Sequence, residues 1–255
     1  MVLFLQFSLV LKIKNHCTMK TYITYFNDAQ IDEYNLQASE DVILFKGNDT
    51  SISGDSINYL NTYYCELCTL YWVWKNTDDK LLCFEQYRRP FDHHNIVPRI
   101  GEAVTYEKNR MKFSICEQFA ICHGKERETY IFQTLIKLFG KESPYVLYWV
   151  NADEMYTNTT MIINRDDFDK MCEFVFSVLF ELDKIWGLNL NPENYAENAQ
   201  YFTEDRRYEY QRHFMAYIGE RLVSAYIKTN LKTITIPRLD NDGYYKPWRQ
   251  KVKIE

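Results

Sequence analysis

Two adjacent arginines, Arg88 and Arg89, follow a run of apolar residues, with Glu85 and Tyr87 just before them and Pro90 just after. Guanidinium groups bind phosphate oxygens through paired N–H donors in a fixed fork, so such a pair suits a phosphate-bearing ligand. The apolar run at residues 81–84 is short and continuous, as expected of a strand buried on both faces, and the proline ends its ladder. In open α/β sheets the ligand crevice lies beyond the carboxyl ends of the strands. Glu85, Tyr87, Arg88 and Arg89 are therefore expected at the rim of a crevice. The competing reading pairs the arginines with carboxylates on neighbouring helices.

Other clusters sit in comparable places. Residues 145–150 read as another buried strand ending in an acidic cluster through Glu154, in which Asn151 and Asp153 offer hard oxygen ligands for a divalent cation; a plain turn competes. Tyr25, Asn27 and Asp28 lie at the end of a first strand at residues 21–26, where a nucleotide base and ribose are often held; here too a turn competes. Glu220, beside Arg221 on a late helix, is a candidate for facing an acceptor. The adjacent pair His93 and His94 points to opposite sides of an extended chain and does not easily ligate one metal. Cys65 and Cys68 form a Cys-x-x-Cys pair, but they lie within a helical pattern and lack a second pair, which favours a helix face over zinc or redox chemistry.

The elements that must position these groups are legible in part. Leu60, Tyr64, Leu67, Tyr71 and Trp74 alternate by four and three, the signature of one helix face, with Asn61 or Thr62 as its cap. Residues 41–45 read as a second strand, and residues 46–55 as a mobile polar loop without the glycine spacing of a phosphate cradle. One or two strands are expected within 111–123, a surface helix over 125–139 and a short strand at 159–163. Asp166 and Asp167 open the clearest helix, carrying Phe168, Cys172, Val175, Leu179, Leu182 and Trp186 and closed by Gly187. An Asn-rich loop over 189–202, then Arg206, Arg207 and Arg212, lead to a last helix with Phe214, Ile218, Leu222 and Tyr226.

The chain has 255 residues, enough for one large α/β domain. Three segments are expected: an apolar and basic extension at 1–18, the main domain at 19–230, and a loosely packed tail at 231–255. The first eighteen residues read as an upstream start before Met19, a peripheral membrane anchor, or an extra edge strand; their apolar run is shorter than a membrane span needs. A net charge of −5 argues against nucleic-acid binding through phosphate neutralisation. Seven cysteines, an odd number, do not make a disulfide framework and suit a reducing compartment.

The block Asn61, Tyr64-Cys65-Glu66-Leu67, Leu70-Tyr71-Trp72, Trp74-Lys75-Asn76, followed by Tyr87-Arg88-Arg89 and Phe91, resembles the uncharacterised-domain glycosyltransferases of capsular and exopolysaccharide gene clusters and of some large DNA viruses. Met161-Ile162-Ile163, Cys172-Glu173 with Leu179-Phe180-Glu181-Leu182, and Tyr217-Ile218-Gly219-Glu220-Arg221-Leu222 extend the likeness in order. The resemblance implies a single GT-A-like, Rossmann-type α/β domain with a mixed, mostly parallel sheet flanked by helices. It also implies transfer of a sugar from a nucleotide-diphosphate sugar to a hydroxyl of a lipid-linked or protein-linked glycan, in the cytoplasm (of the host, for a viral chain), with an inactive nucleotide-sugar or carbohydrate-binding module as the alternative. Under it, Tyr25, Asn27, Asp28, Tyr87, Arg88 and Arg89 would bind the donor, Glu85 or Asp153 would hold Mn²⁺ or Mg²⁺, and Glu220 or Asp153 would take the acceptor proton. The departures are Glu85-Gln86 and Pro90, and the missing Asp-x-Asp metal motif.

Overall fold

A computed structural model of the protein describes residues 18–91, 95–156, 159–201 and 208–237. The amino-terminal extension up to residue 17, His93, His94, Arg206, Arg207 and everything from residue 238 lie outside the described residues. In chain order, β1 (Met19–Tyr25), α1 (Ala29–Glu33) and β2 (Val42–Lys46) come first. A polar loop and a 3₁₀ turn (Asn58–Leu60) lead to α2 (Asn61–Tyr64), α3 (Leu67–Asn76) and β3 (Leu81–Gln86). Then follow β4 (Glu102–Tyr106), β5 (Asn109–Arg110), α4 (Ile115–His123), α5 (Lys125–Phe139), α6 (Pro144–Asn151), β6 (Glu154–Met155) and β7 (Met161–Asn164). The long helix α7 (Arg165–Ile185), α8 (Pro192–Tyr201), α9 (Tyr208–Gln211), α10 (Phe214–Asn230) and β8 (Lys232–Ile236) complete the order.

Six strands form one sheet in the order β2-β1-β3-β7-β4-β8, and β7 alone runs against its neighbours. The fold is thus α/β with a mixed, mostly parallel sheet, as the sequence suggests. β3 lies inside it with every residue buried. Its Leu82 and Phe84 enter the main core with α3, α7 and α10, while Leu81 and Cys83 meet Phe91, Val104 and Ile162 on the other face. That two-sided burial is why its sequence is continuously apolar rather than alternating. On α7, Phe168, Cys172, Val175, Leu179 and Leu182 are all buried, and Gly187 leaves the helix at φ +65°.

The expected helix through Leu60 and Trp74 is not continuous. It breaks at Cys65, whose φ of +47° and ψ of −125° belong to a region that L-residues avoid. Asn61 does not cap the start of this segment; its Nδ2 donates to the Cys65 carbonyl at 3.1 Å and the Cys65 N–H donates to the Asn61 carbonyl at 2.8 Å, so both bonds fasten the kink. Both halves still bury their apolar faces, with Leu60 and Tyr64 before the break and Leu67 and Tyr71 after it. Periodicity therefore persists across a break that it does not reveal.

Other expectations are corrected. Residues 145–150 are helix α6, not a strand: Ser143 accepts from the Val146 N–H and Pro144 occupies the first turn, where its missing N–H costs nothing. The expected strands within 111–123 are helix α4, opened by a reciprocal capping box between Ser114 and Glu117. The Asn-rich stretch contains α8, and the presumed tail contributes β8, which pairs in parallel with β4 at the sheet edge. Strand β4 is a further element that the sequence did not disclose.

α10 reaches the start of α3 at Gly219. A methyl group added there would overlap Leu67 Cδ1 and lie 3.2 Å from its Cγ. Gly219→Ala is expected to destabilise the fold by about 1–3 kcal/mol through overpacking. Adding Leu67→Ala should recover part of that loss, measured as a favourable coupling in a double-mutant urea-unfolding cycle. At the kink, Cys65→Gly is expected to be more stable than Cys65→Ala by about 1 kcal/mol, because only the Ala variant keeps a Cβ at positive φ. Inside a continuous helix the order would invert by a similar amount.

Candidate active site

A cavity of about 530 Å³ opens at the carboxyl edge of β1 and β3. That volume lies in the usual range of roughly 300–1,000 Å³ for small-ligand sites. Phe26 follows β1, Gln86 ends β3, and Arg88 and Arg89 follow it; Thr159 enters from the segment before β7. The opposite wall is α2 and the kink, with Asn61, Thr62, Cys65 and Glu66. Arg212, His213, Tyr217 and Glu220, at and before the amino-terminal half of α10, close the third side. A hydrogen bond of 2.7 Å between the Thr24 and Thr69 hydroxyls ties β1 to α3 beneath this edge.

The sequence-derived candidates divide between this cavity and other places. Arg88, Arg89 and Glu220 line it together. Arg89 also donates from Nη1 to Gln86 Oε1 at 3.1 Å. Tyr87 turns to the other side of the rim, packing edge-on against Phe26 and Tyr34. Tyr25 lies on that same second face with Ile23 and Leu36, Asn27 accepts from the Ala29 N–H, and Asp28 pairs with Lys46 at 2.7 Å; none of the three lines the cavity.

Glu85 alternates with Gln86 along β3 and does not line the cavity; buried, its carboxylate accepts from the Phe91 N–H at 2.9 Å. Asp153 does not follow a strand end. It is exposed between α6 and β6, and its carbonyl accepts from the Met111 N–H. Its neighbour Glu154 is engaged by Lys108 and Lys228, which hold that carboxyl below its ordinary range. Neither Glu85 nor Asp153 lines the cavity, and among the described residues no three His, Cys, Asp or Glu side chains form a cluster that could hold a metal ion.

Glu66 is the site residue that sequence reasoning missed. It reads as the middle of a helix, but the reversal at Cys65 places it at the helix start, half-buried in the cavity wall. Burial raises its carboxyl above the ordinary range and the Glu220 charge adds to this, while Glu66's own backbone N–H, Arg89 and Arg88 pull the other way. Its place within the strongest block of family-like residues was the available signal.

Cys65 is no nucleophile. Burial, assisted by Glu66, keeps its thiol well above its usual pKa, so it stays protonated. Its Sγ lies 3.3 Å from His213 Nδ1, but that nitrogen lies 2.7 Å from the Thr62 carbonyl. A carbonyl only accepts, so Nδ1 carries the proton and cannot remove one from the thiol. Burial also lowers the His213 pKa, which favours the neutral ring. Cys65 and Thr159, at φ +47° and +50°, are both non-glycine residues at positive φ, and both line the cavity. Such strain costs on the order of 1–3 kcal/mol each and gathers at functional sites.

Three guanidinium groups and two carboxylates around one cleft can hold an anionic phosphate ester and also accept a proton beside it. The solved structure described as the apo form of WbbM, a bifunctional glycosyltransferase, has the same fold: TM-score 0.60 and 16% identity over 91% of this chain. The match covers 46% of that chain, so the present protein spans under half of its length. Among curated proteins no sequence matches. Residues 35–231, most of the chain including α2, α3, Arg88, Arg89 and Glu220, match the family described as a domain of unknown function, DUF4422, and the protein belongs to that family.

Proposed function

We propose that this protein is a glycosyltransferase whose cavity takes a nucleoside-diphosphate sugar and passes the sugar to a hydroxyl of a glycan acceptor. The observation that carries this reading is the meeting of Arg88, Arg89 and Arg212 with Glu66 and Glu220 in one cleft at the carboxyl edge of a mostly parallel sheet. The fold shared with a glycosyltransferase supports it.

When the bond between the anomeric carbon and the β-phosphate oxygen breaks, negative charge develops on the leaving diphosphate, and fixed donors aimed at it lower the barrier. In this reading Arg88 and Arg89, which line the cleft just after β3, meet that charge, and Arg212, paired with Glu209 at 2.7 Å, lines it from the α9–α10 junction. The acceptor hydroxyl loses its proton as it attacks, and a cavity carboxylate receives it.

A panel of UDP-, GDP- and TDP-sugars tests the reading. One class is expected to raise the melting temperature in proportion to the logarithm of its concentration and to release nucleotide when acceptor glycans are supplied. Stabilisation without any released nucleotide would instead identify a binding module. Arg88→Ala should keep the wild-type circular-dichroism spectrum and lower donor turnover by on the order of 10²–10³, the scale of losing one charge-stabilising donor. Full turnover in that variant would remove its assigned role.

A further inference from the structure

We propose that the face of α10 carrying His213, Tyr217 and Glu220, widened by the exposed ring of Tyr210, is the subsite that holds the terminal sugar of the acceptor as an uncharged pyranose. The assignment rests on the sugar-transfer reading and deepens it.

The walls of the cleft differ in kind. The sheet side carries Arg88 and Arg89, whose guanidinium forks suit a diphosphate. On the α10 side His213, Ala216, Tyr217 and Glu220 recur at spacings of three and four, so one helical face presents an imidazole, a phenol ring and a carboxylate to the cleft. Arg212, which precedes them, is paired with Glu209 at 2.7 Å, so its charge is already met within the protein. This side therefore offers little net attraction to an anion.

Its aromatic surface continues past the cleft. The Tyr217 ring stands 4.7 Å from that of Tyr210, and Tyr210, on α9, is 38% exposed. Both rings rest on the fully buried His123, which lies 5.0 Å from Tyr210 in a nearly parallel stack and 4.9 Å from Tyr217. His123 is packed in turn against Phe119 at 4.6 Å. The two tyrosines are thus held before a ligand arrives, which lowers the ordering cost of binding. An aromatic surface that is open to water and continuous with a cleft marks a ligand contact.

A pyranose matches this surface by its own chemistry. One face of the sugar ring presents C–H bonds, while hydroxyls project from its rim. The C–H face packs on an aromatic ring, whose face is electron-rich, and the hydroxyls need polar partners at its edge. His213 supplies one: its Nδ1 donates to the Thr62 carbonyl at 2.7 Å, which leaves Nε2 as the ring nitrogen for a ligand hydroxyl. Glu220, three residues beyond Tyr217 on the same face, supplies a carboxylate for a second. A uronic acid would bring its negative charge to that carboxylate, so a neutral sugar suits this side better.

The test uses the full chain and saturation-transfer difference NMR with methyl glucopyranoside, methyl galactopyranoside and methyl mannopyranoside, and with methyl glucopyranosiduronate as the charged comparator. At least one neutral glycoside is expected to bind with a Kd on the order of 1 mM and to take saturation on the protons of one ring face. Tyr210→Ala and Tyr217→Ala should each weaken it by about tenfold, the scale of one lost aromatic contact. Tyr217→Phe should stay within about threefold, because the packing does not need the hydroxyl, and His213→Ala should cost about three- to tenfold, the scale of one hydrogen bond. Should Tyr217→Ala fail to fold, Tyr210→Ala, whose ring is at the surface, carries the comparison.

Three results would overturn the assignment and leave donor turnover standing: no neutral glycoside saturated, both alanine variants binding as wild type does, or the uronate binding more tightly than its neutral parent. It would fall equally if the alanine variants kept the sugar contact and lost the rise in melting temperature given by UDP, GDP or TDP, since the rings would then belong to the donor base. Sugar binding that follows these expectations in a chain that turns over no donor would sink transfer and keep the sugar site.

Discussion

Gly219 of α10 lies so close to Leu67 that no side chain fits between them, and that approach sets the distance between two walls of the cavity. Leu67 is the first residue of α3 and Glu66 precedes it; Glu220 follows Gly219. One contact therefore fixes both carboxylates relative to each other. A Cβ at Gly219 would force the buried Leu67 to repack, which close-packed interiors resist. The cost of a bare glycine within a helix, about 1 kcal/mol, is small beside a displaced wall. Glu220 and Arg221, adjacent in sequence, diverge by the helical step: Glu220 enters the cleft, while Arg221 is buried, donates to the Tyr217 carbonyl and to Gln118, and lies 5.3 Å from the Phe119 ring centre.

The same constraint governs the electrostatics. Three arginines and two glutamates line one cleft, and Glu209 pairs with Arg212 at 2.7 Å, so Arg88 and Arg89 carry most of its positive character in a chain whose formal charge is −5. Charge segregation of this kind concentrates an anionic ligand where the walls exclude water. Glu66 in turn feels the arginines: burial raises its carboxyl, and the pull of Arg88 and Arg89 opposes that rise.

The sequence disclosed the parts whose physics is local. A buried strand with continuous apolar residues, a long helix with a clean apolar stripe, and arginines at a strand end each carry their own signature, and β3, α7, Arg88 and Arg89 were placed from it. It failed where tertiary contacts decide. Residues 145–150 are apolar enough for a strand, and only Ser143 and Pro144, read as a helix start, would have tipped the choice. The break at Cys65 leaves no signal, since cysteine is not a turn residue and Asn61 looks like a cap for the helix start rather than a clamp on the kink. Glu66 reaches the cavity wall only through that break. Tyr25, Asn27, Asp28 and Glu85 stand at or just past strand ends yet do not line the cavity, because a strand end marks an edge of the sheet without saying which face its alternating side chains take.

The third wall depends on a buried cation. α9 has four residues and cannot hold itself, yet Arg212 and His213 extend directly from it into the cleft. Arg127 of α5, fully buried, donates to Gln211 Oε1 at 3.2 Å and to the Asn198 side chain at 2.8 Å, and its guanidinium stands 4.2 Å from the centre of the Phe214 ring. Gln211 in turn donates to the Cys122 carbonyl at 3.0 Å, and Tyr210 stacks on the buried His123. Burying a guanidinium is costly unless its donors are met, so the arrangement is stable only with α8, α9 and the start of α10 all in place. That requirement converts a short helix, weak by itself, into a fixed mount for Arg212, and it explains why a charged side chain occupies the interior of a helix that the sequence reads as lying on the surface.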